Sequence, residues 1–309
     1  MKHIYVVTGQ TATGKTSYAI ELAKRVNGEL INCDSRQIYK HLNIITGKEL
    51  EKTNNNFVLK ENLNNFDIGY YTFTESNIPI WLYDIISPDK VFSTFDYRNC
   101  ALHVLQDIIT RGKTPVIVGG TYFYLKHLLY GTVDTFVEPN PKLREELNTK
   151  SVYELQNIIF KLDPLILDKL NHSDRNNPHR LIRKIEIMKG EKQEKKTELP
   201  LHKLFPDFKI VMIGFKYNVK EALHEIISNR VDERLNNGAI DEVVSLLTQY
   251  PTDSPGLKTI GYSQIIEHLQ HKRSLKDMKK EWIIKELQYA KRQLTFMKKD
   301  QHIVWHEMK

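Results

Sequence analysis

Gly9-Gln10-Thr11-Ala12-Thr13-Gly14-Lys15-Thr16 fits the pattern G-x-x-x-x-G-K-[ST] at every fixed position. The apolar run Ile4-Tyr5-Val6-Val7 leads into it, and a helix-like run from Ser17 to Val26 leads out. Strand, loop and helix in that order give the pattern its meaning. The glycines let backbone N–H groups curl around phosphate oxygens, and the helix that follows aims the positive end of its dipole at the same anion. Lys15 adds a point charge, and the Thr16 hydroxyl is placed to hold Mg2+. The stretch predicts a di- or triphosphate site in an α/β core. Alone it does not say which anion is bound, and its class includes many nucleotide- and ATP-binding proteins.

Asn27-Gly28 closes the first helix, and Glu29 to Cys33 reads as the next strand. It runs into Asp34-Ser35-Arg36-Gln37-Ile38-Tyr39. Polar residues just past a strand's C-terminal end, beside a phosphate loop, sit where open α/β sheets place their ligands. Asp34 could be a Mg2+-binding acid, a general base, or an ordinary turn aspartate. Residues 51–66 are Asn-rich and lack periodicity, so they read as a surface excursion, with a hairpin through Tyr70 to Phe73. Ile80 to Ile86 reads as a strand and Ser93 to Thr110 as a helix. Val116 to Val118 is a short apolar strand of the buried parallel kind, ending in Gly119-Gly120-Thr121. The glycines permit close backbone approach, and Thr121 offers a hydroxyl or simply a turn. No acid follows this strand, which argues against a plain ATPase.

From Pro139 the texture becomes helical and charged. The expected division is a core over residues 1–138, a helical insertion over 139–200, and the rest of the core over 201–309. Helices are expected over Pro141 to Asn148, Ser151 to Leu162 and Asn177 to Lys189, followed by a charged linker, residues 189–196. Strand character returns from Phe208 to Phe215. Helices are expected over Glu221 to Leu235 and Asp241 to Tyr250. A long basic helix, Leu275 to Lys299, interleaves Tyr289 and Phe296 with Lys291, Arg292 and Lys298, a mixture that suits RNA. Ile303-Val304-Trp305 reads as a final edge strand.

The bulk numbers agree with a globular protein: 309 residues, 40% hydrophobic and 27% charged. A formal charge of +7 permits a polyanionic partner without demanding one. Two cysteines, Cys33 and Cys100, without C-x-x-C spacing argue against a disulfide scaffold or a cysteine zinc site. No apolar run approaches a membrane span, so a cytoplasmic protein is expected, by default a monomer.

Several stretches in one order carry a resemblance: Gly9 to Thr16, Asp34 to Tyr39, Pro115 to Thr121, Asn177-Pro178-His179-Arg180-Leu181-Ile182-Arg183, and Tyr289-Ala290-Lys291-Arg292-Gln293-Leu294-Thr295. With Arg230-Val231-Asp232 and Gly261-Tyr262 between them, the chain resembles the tRNA dimethylallyltransferase family, bacterial type, over nearly its whole length. The resemblance implies a phosphate-loop α/β fold with a helical insertion. It also implies transfer of a dimethylallyl group from dimethylallyl diphosphate to N6 of the adenosine 3′ to the anticodon. The loop Gly9, Gln10, Thr11, Ala12, Thr13, Gly14, Lys15 and Thr16 would then hold the diphosphate. Lys15, Arg230 and Mg2+ on Thr16 would neutralise the leaving group. Asp34 would accept the N6 proton, and Thr121 would lie near the leaving oxygen. Ser35, Arg36 and Gln37 would help to hold the tRNA's adenosine. Arg144, His179, Arg180, Leu181, Ile182 and Arg183 would grip the anticodon stem-loop. The chain departs from the family at Gln10, where proline is usual, and at Thr13, where serine is usual; little effect is expected, because the loop backbone does the binding. Residues 51–80 are longer than the family's usual link. Without the resemblance, a small-molecule kinase, an isopentenyltransferase of free adenine nucleotides, and a non-catalytic RNA-binding protein stay open.

Overall fold

The computed structural model of the protein describes residues 2–131, 137, 140–190 and 198–308. The strands are β1 (Lys2–Gly9), β2 (Gly28–Asn32), β3 (Val58–Leu63), β4 (Phe66–Thr72), β5 (Pro79–Trp81), β6 (Thr114–Val118), β7 (Phe208–Tyr217) and β8 (Ile303–Met308). They form one sheet in the order β3-β4-β5-β2-β6-β1-β7-β8. From β5 to β8 every pairing is parallel.

Neighbouring residues on these strands serve opposite cores, as the period of two requires. Val6, Ile31 and Ile117 join one apolar cluster. Val7, Leu30, Val116 and Val118 join the other. Helix α1 (Lys15–Val26) covers the second cluster with Ala19, Leu22 and Ala23. Helices α2 (Thr94–Thr110) and α3 (Tyr122–Tyr130) cover the first. The expected α/β core with helices on both faces is present.

Two segments differ from expectation. The run from Ile80 to Ile86 leaves the ladder after Trp81, because Leu82 (φ 66°) and Asp84 (φ 55°) are left-handed and turn the chain out of the pleat. Ile86 rejoins through one bridge to Tyr39. The Asn-rich stretch is itself the hairpin, β3 and β4, and it extends the sheet edge antiparallel to β5. Its turn is Asn64-Asn65, both left-handed as a tight hairpin turn requires.

The chain divides into two compact units, residues 1–130 with 201–309, and residues 131–200. The second is helical: α4 (Pro141–Asn148), α5 (Val152–Leu162), α6 (Pro164–Lys169), α7 (His172–Arg175) and α8 (Pro178–Lys189). Asn140, Ser151, Asp163, Asn171 and Asn177 cap these helices in turn, each side chain accepting a backbone N–H of the first turn. Its core gathers Leu147, Leu155, Ile159, Leu167, Leu181, Ile182 and Ile185. Residues 191–197, most of the expected linker, lie outside the described residues.

The first unit continues with α9 (Leu201–Leu204), α10 (Lys220–Asn236), α11 (Ala239–Leu247), α12 (Tyr262–Leu269) and α13 (Leu275–Met297). The expected edge strand at Ile303 is β8, parallel to β7.

In the helical unit Glu186 is buried and accepts two bonds from Arg144 (2.7 and 2.9 Å) and one from Arg183 (3.2 Å). Arg144→Ala leaves that carboxylate short of donors and should cost about 2 kcal/mol. Urea unfolding of wild type and variant measures it, with Glu186→Gln expected to relieve part of the loss.

Candidate active site

The phosphate loop is held at its entry by Gly9. A Cβ there would lie 2.1 Å from the Phe215 carbonyl oxygen of β7, and φ is 138°. Only glycine lets β1 pass β7 and turn. Gln10 follows, and it is more than a spacer. Its amide oxygen accepts the Tyr217 N–H (2.8 Å), and its amide nitrogen donates to the Ala290 carbonyl of α13 (3.4 Å). The expectation that only the backbone matters at this position is corrected: the side chain is buried and ties the loop to two elements. Thr13 donates to the Gln10 carbonyl (2.8 Å) and closes the loop on itself.

A cavity of about 400 Å3 opens over the loop. Its walls include Thr11 to Ser17, Asn32, Asp34, Arg36, Gln37, Gly119, Gly120, Arg230, Arg234, Tyr289 and Gln293. Stretches far apart in sequence thus meet: the loop, the ends of β2 and β6, and the helices α10 and α13. Lys15 donates to the Gln10 carbonyl and lies 3.5 Å from the Thr13 hydroxyl. Burial strips water from its ammonium and Arg230 repels it, so its pKa falls to about 7, with Asp34 pulling the other way. Arg230 donates to the Thr11 hydroxyl (2.8 Å) and, among the described residues, pairs with no carboxylate.

Asp34 is held by its surroundings. Its N–H donates to the Asn32 amide oxygen (3.0 Å), and its Oδ1 accepts the Arg36 N–H (2.9 Å). The turn-aspartate reading accounts for that oxygen alone. Among the described residues Oδ2 accepts no hydrogen bond, and it is the oxygen left for a ligand. Asn32 is locked in turn by donating to the Leu82 carbonyl (3.1 Å).

Thr121 and Ser35 stand slightly apart. Thr121 Oγ1 accepts the Ser35 N–H (3.0 Å) and bonds the Ser35 hydroxyl (3.2 Å). Neither residue lines the cavity, although Gly119, Gly120, Asp34 and Arg36 on either side do. Gln37 lines it but spends its amide on the Thr46 and Gly47 carbonyls (3.2 and 2.9 Å).

Helix α13 presents two faces. Lys291, Arg292, Phe296 and Lys298 are exposed, as the basic-aromatic pattern suggests. Glu286, Ala290, Gln293 and Met297 are buried. Gln293 accepts the Thr11 N–H (2.9 Å) and donates to the Gly120 carbonyl (3.0 Å). Arg36 pairs with Glu286 (3.0 Å) and stacks on Tyr289, 4.0 Å from the ring centroid. The sequence assigns no individual role to Gln293, Asn32 or Glu286, and it groups Tyr289 with an RNA-facing surface, whereas Tyr289 lines the cavity against Arg36. The signal available was the i, i+3, i+7 spacing of Glu286, Tyr289 and Gln293.

In the helical unit the expected RNA-contacting run divides. His179 and Arg180 are exposed, with Arg180 paired to Asp174. Leu181 and Ile182 are buried in that unit's core, because they lie on the apolar face of α8. Their expected contact with RNA is corrected to a packing role. Arg144 and Arg183 serve Glu186.

Comparison with known proteins identifies the family. Residues 64–300 match the model of the IPP transferase family, and residues 2–68 that of the isopentenyl transferases. The chain belongs to the IPP transferase family. A tRNA dimethylallyltransferase of Caldanaerobacter subterraneus subsp. tengcongensis is 32% identical over 313 residues, covering 98% of this chain and 90% of the relative. That of Thermoanaerobacter sp. (strain X514) is 31% identical over 309 residues, with the same coverage. The crystal structure of a tRNA isopentenylpyrophosphate transferase from Bacillus halodurans is similar with a TM-score of 0.67 and 27% identity, over 99% of this chain and 90% of that one. A eukaryotic dimethylallyltransferase acting on tRNA gives 0.73 and 25%, over 99% and 74%.

For an IPP transferase the lysine has a measurable consequence. A bound anion would favour the ammonium form of Lys15, so affinity for a diphosphate would decline as pH rises above about 7. Between pH 7.5 and 9, where a phosphate ester no longer changes charge, dimethylallyl diphosphate should bind progressively more weakly, by up to about tenfold per pH unit. Titration calorimetry would read this, and Lys15→Arg should flatten the profile.

Proposed function

We propose that this chain transfers a dimethylallyl group from dimethylallyl diphosphate to N6 of the adenosine 3′ to the anticodon in tRNA. The observation that carries the reading is Asp34: one carboxylate oxygen anchored, the other free, in one cavity with Lys15 and Arg230. The C–O bond to the diphosphate breaks as the C–N6 bond forms, and the N6 proton passes to Asp34. Lys15, Arg230 and the loop N–H groups neutralise the charge that grows on the departing diphosphate. Thr121 acts through Ser35, keeping the Asp34 turn in place. The adenine leaves its loop stack to reach the cavity, as chemistry on a base requires.

Mg2+ fits the same cavity. Among the described residues no cluster of three or more acidic, His or Cys ligands exists. Mg2+ needs none, since it takes most ligands from phosphates and water. The Thr16 hydroxyl would hold it, and it would supply further charge neutralisation at the diphosphate. In the helical unit, His179 and Arg180 meet the phosphates of the anticodon stem-loop, with Arg144 and Arg183 stiffening the surface behind them. Among the described residues no helix is long and apolar enough to cross a membrane. A protein that acts on tRNA in this way is proposed to work in the cytoplasm, as a monomer.

Nucleoside mass spectrometry tests the reading. With Mg2+, unmodified tRNA and dimethylallyl diphosphate, adenosine should gain a prenyl mass; ATP turnover in its place would point to a kinase. Asp34→Asn should lose about 10²–10⁴ in kcat while retaining tRNA affinity. Unchanged turnover removes Asp34 from the mechanism. Arg180→Ala should lower the salt slope of tRNA binding by about one, read by filter binding at several ionic strengths.

A further inference from the structure

The cavity wall carries more cations than one diphosphate requires. Lys15, Arg36, Arg230 and Arg234 all line it. Arg230 and Arg234 lie one turn apart on α10, and like charges that close repel. Burial and the nearby Arg230 depress the pKa of Arg234 to about 9, although Glu286 opposes them. One buried carboxylate answers this crowding. Glu286 Oε1 receives Arg36 Nη1 at 3.0 Å and Arg234 Nη1 at 3.5 Å. Burial alone would raise the Glu286 pKa, but Arg36, Arg234 and Arg230 outweigh it and hold the carboxyl below its usual range. Tyr289 covers one face of the Arg36 guanidinium. Two arginines are therefore already engaged, whereas Lys15 and Arg230 have no carboxylate partner among the described residues.

We propose that Glu286 is a specificity-determining residue that limits the charge of the anion the cavity accepts. By occupying Arg36 and Arg234 it leaves Lys15 and Arg230 to meet a diphosphate and denies a triphosphate the extra cations it would need. Glu286 acts through the arginines and touches neither substrate, so it is a positioning residue. The inference rests on the reading of this cavity as the diphosphate site.

Glu286→Gln keeps the shape and an acceptor but removes the negative charge. One more unit of positive charge within several ångströms of the anion should tighten inorganic diphosphate by on the order of tenfold, and inorganic tripolyphosphate by more. Isothermal titration with each anion, in Mg2+, reads both. The ratio of the two affinities is the deciding quantity, because a merely structural residue would weaken both together. Glu286→Asp, which retains the charge, should keep the wild-type ratio. An unchanged ratio in Glu286→Gln, or equal weakening of both anions, overturns the proposal. Should that variant fail to fold, the charge-balanced Arg234→Met/Glu286→Gln pair carries the test. A wild-type ratio in the pair supports the proposal and a raised one sinks it. Because these titrations need no turnover, they are independent of prenyl transfer: wild type that binds diphosphate but prenylates no tRNA defeats the functional reading alone.

Discussion

One amide side chain keeps the parts of this site in register. Gln293 accepts from the phosphate loop at Thr11 and donates to the carbonyl of Gly120, just past the end of β6. A Cβ on Gly120 would sit 2.2 Å from the Gln293 nitrogen, so the contact exists because that residue is glycine. Buried amides must find partners, and this one finds both. Helix α13 is thereby fixed against the loop, and with it Tyr289, Glu286 and the arginines that Glu286 holds. Gln10 adds a second tie from the loop to the same helix.

The electrostatic design follows from that placement. A diphosphate site needs concentrated positive charge, yet concentrated charge in a buried wall is costly before the anion arrives. The chain meets this in two ways. Lys15 can shed its proton near neutrality, and Glu286 offsets the arginines that are not needed. Asp34 also lies close enough to steady Lys15, so the residue assigned to proton transfer shares in holding the cationic wall together.

Much of this was legible in the sequence, for reasons that are local. The phosphate loop, the strand before Asp34 and the Gly-Gly turn after β6 each declare themselves within a few residues, and a parallel sheet brings such C-terminal ends together. What was hidden is non-local. Nothing near Gln10 announces that its side chain reaches β7 and α13. Glu286 sits among lysines on a helix that reads as an RNA-facing surface, and only the packing of its other face shows a carboxylate between two arginines. Leu181 and Ile182 shared a motif with His179 and Arg180, but helical spacing sends the two pairs to different sides. The Asn-rich stretch carried its hairpin signal in Asn64-Asn65, which composition alone reads as loop.

The order of strands in the sheet bears on how the chain comes to be folded. Strand β1, the first made, pairs on one side with β6 and on the other with β7, and β7 in turn pairs with β8 at the far end of the chain. Contacts so distant in sequence are slow to form, since the loop entropy is spent before the contacts repay it. Residues 131–200, whose contacts are largely their own, face no such wait. During synthesis the helical unit can close while β1, already outside the ribosome, still lacks β7 and β8. Of the central strands, β1, which carries the phosphate loop, thus waits longest for the partner on one of its sides, β7.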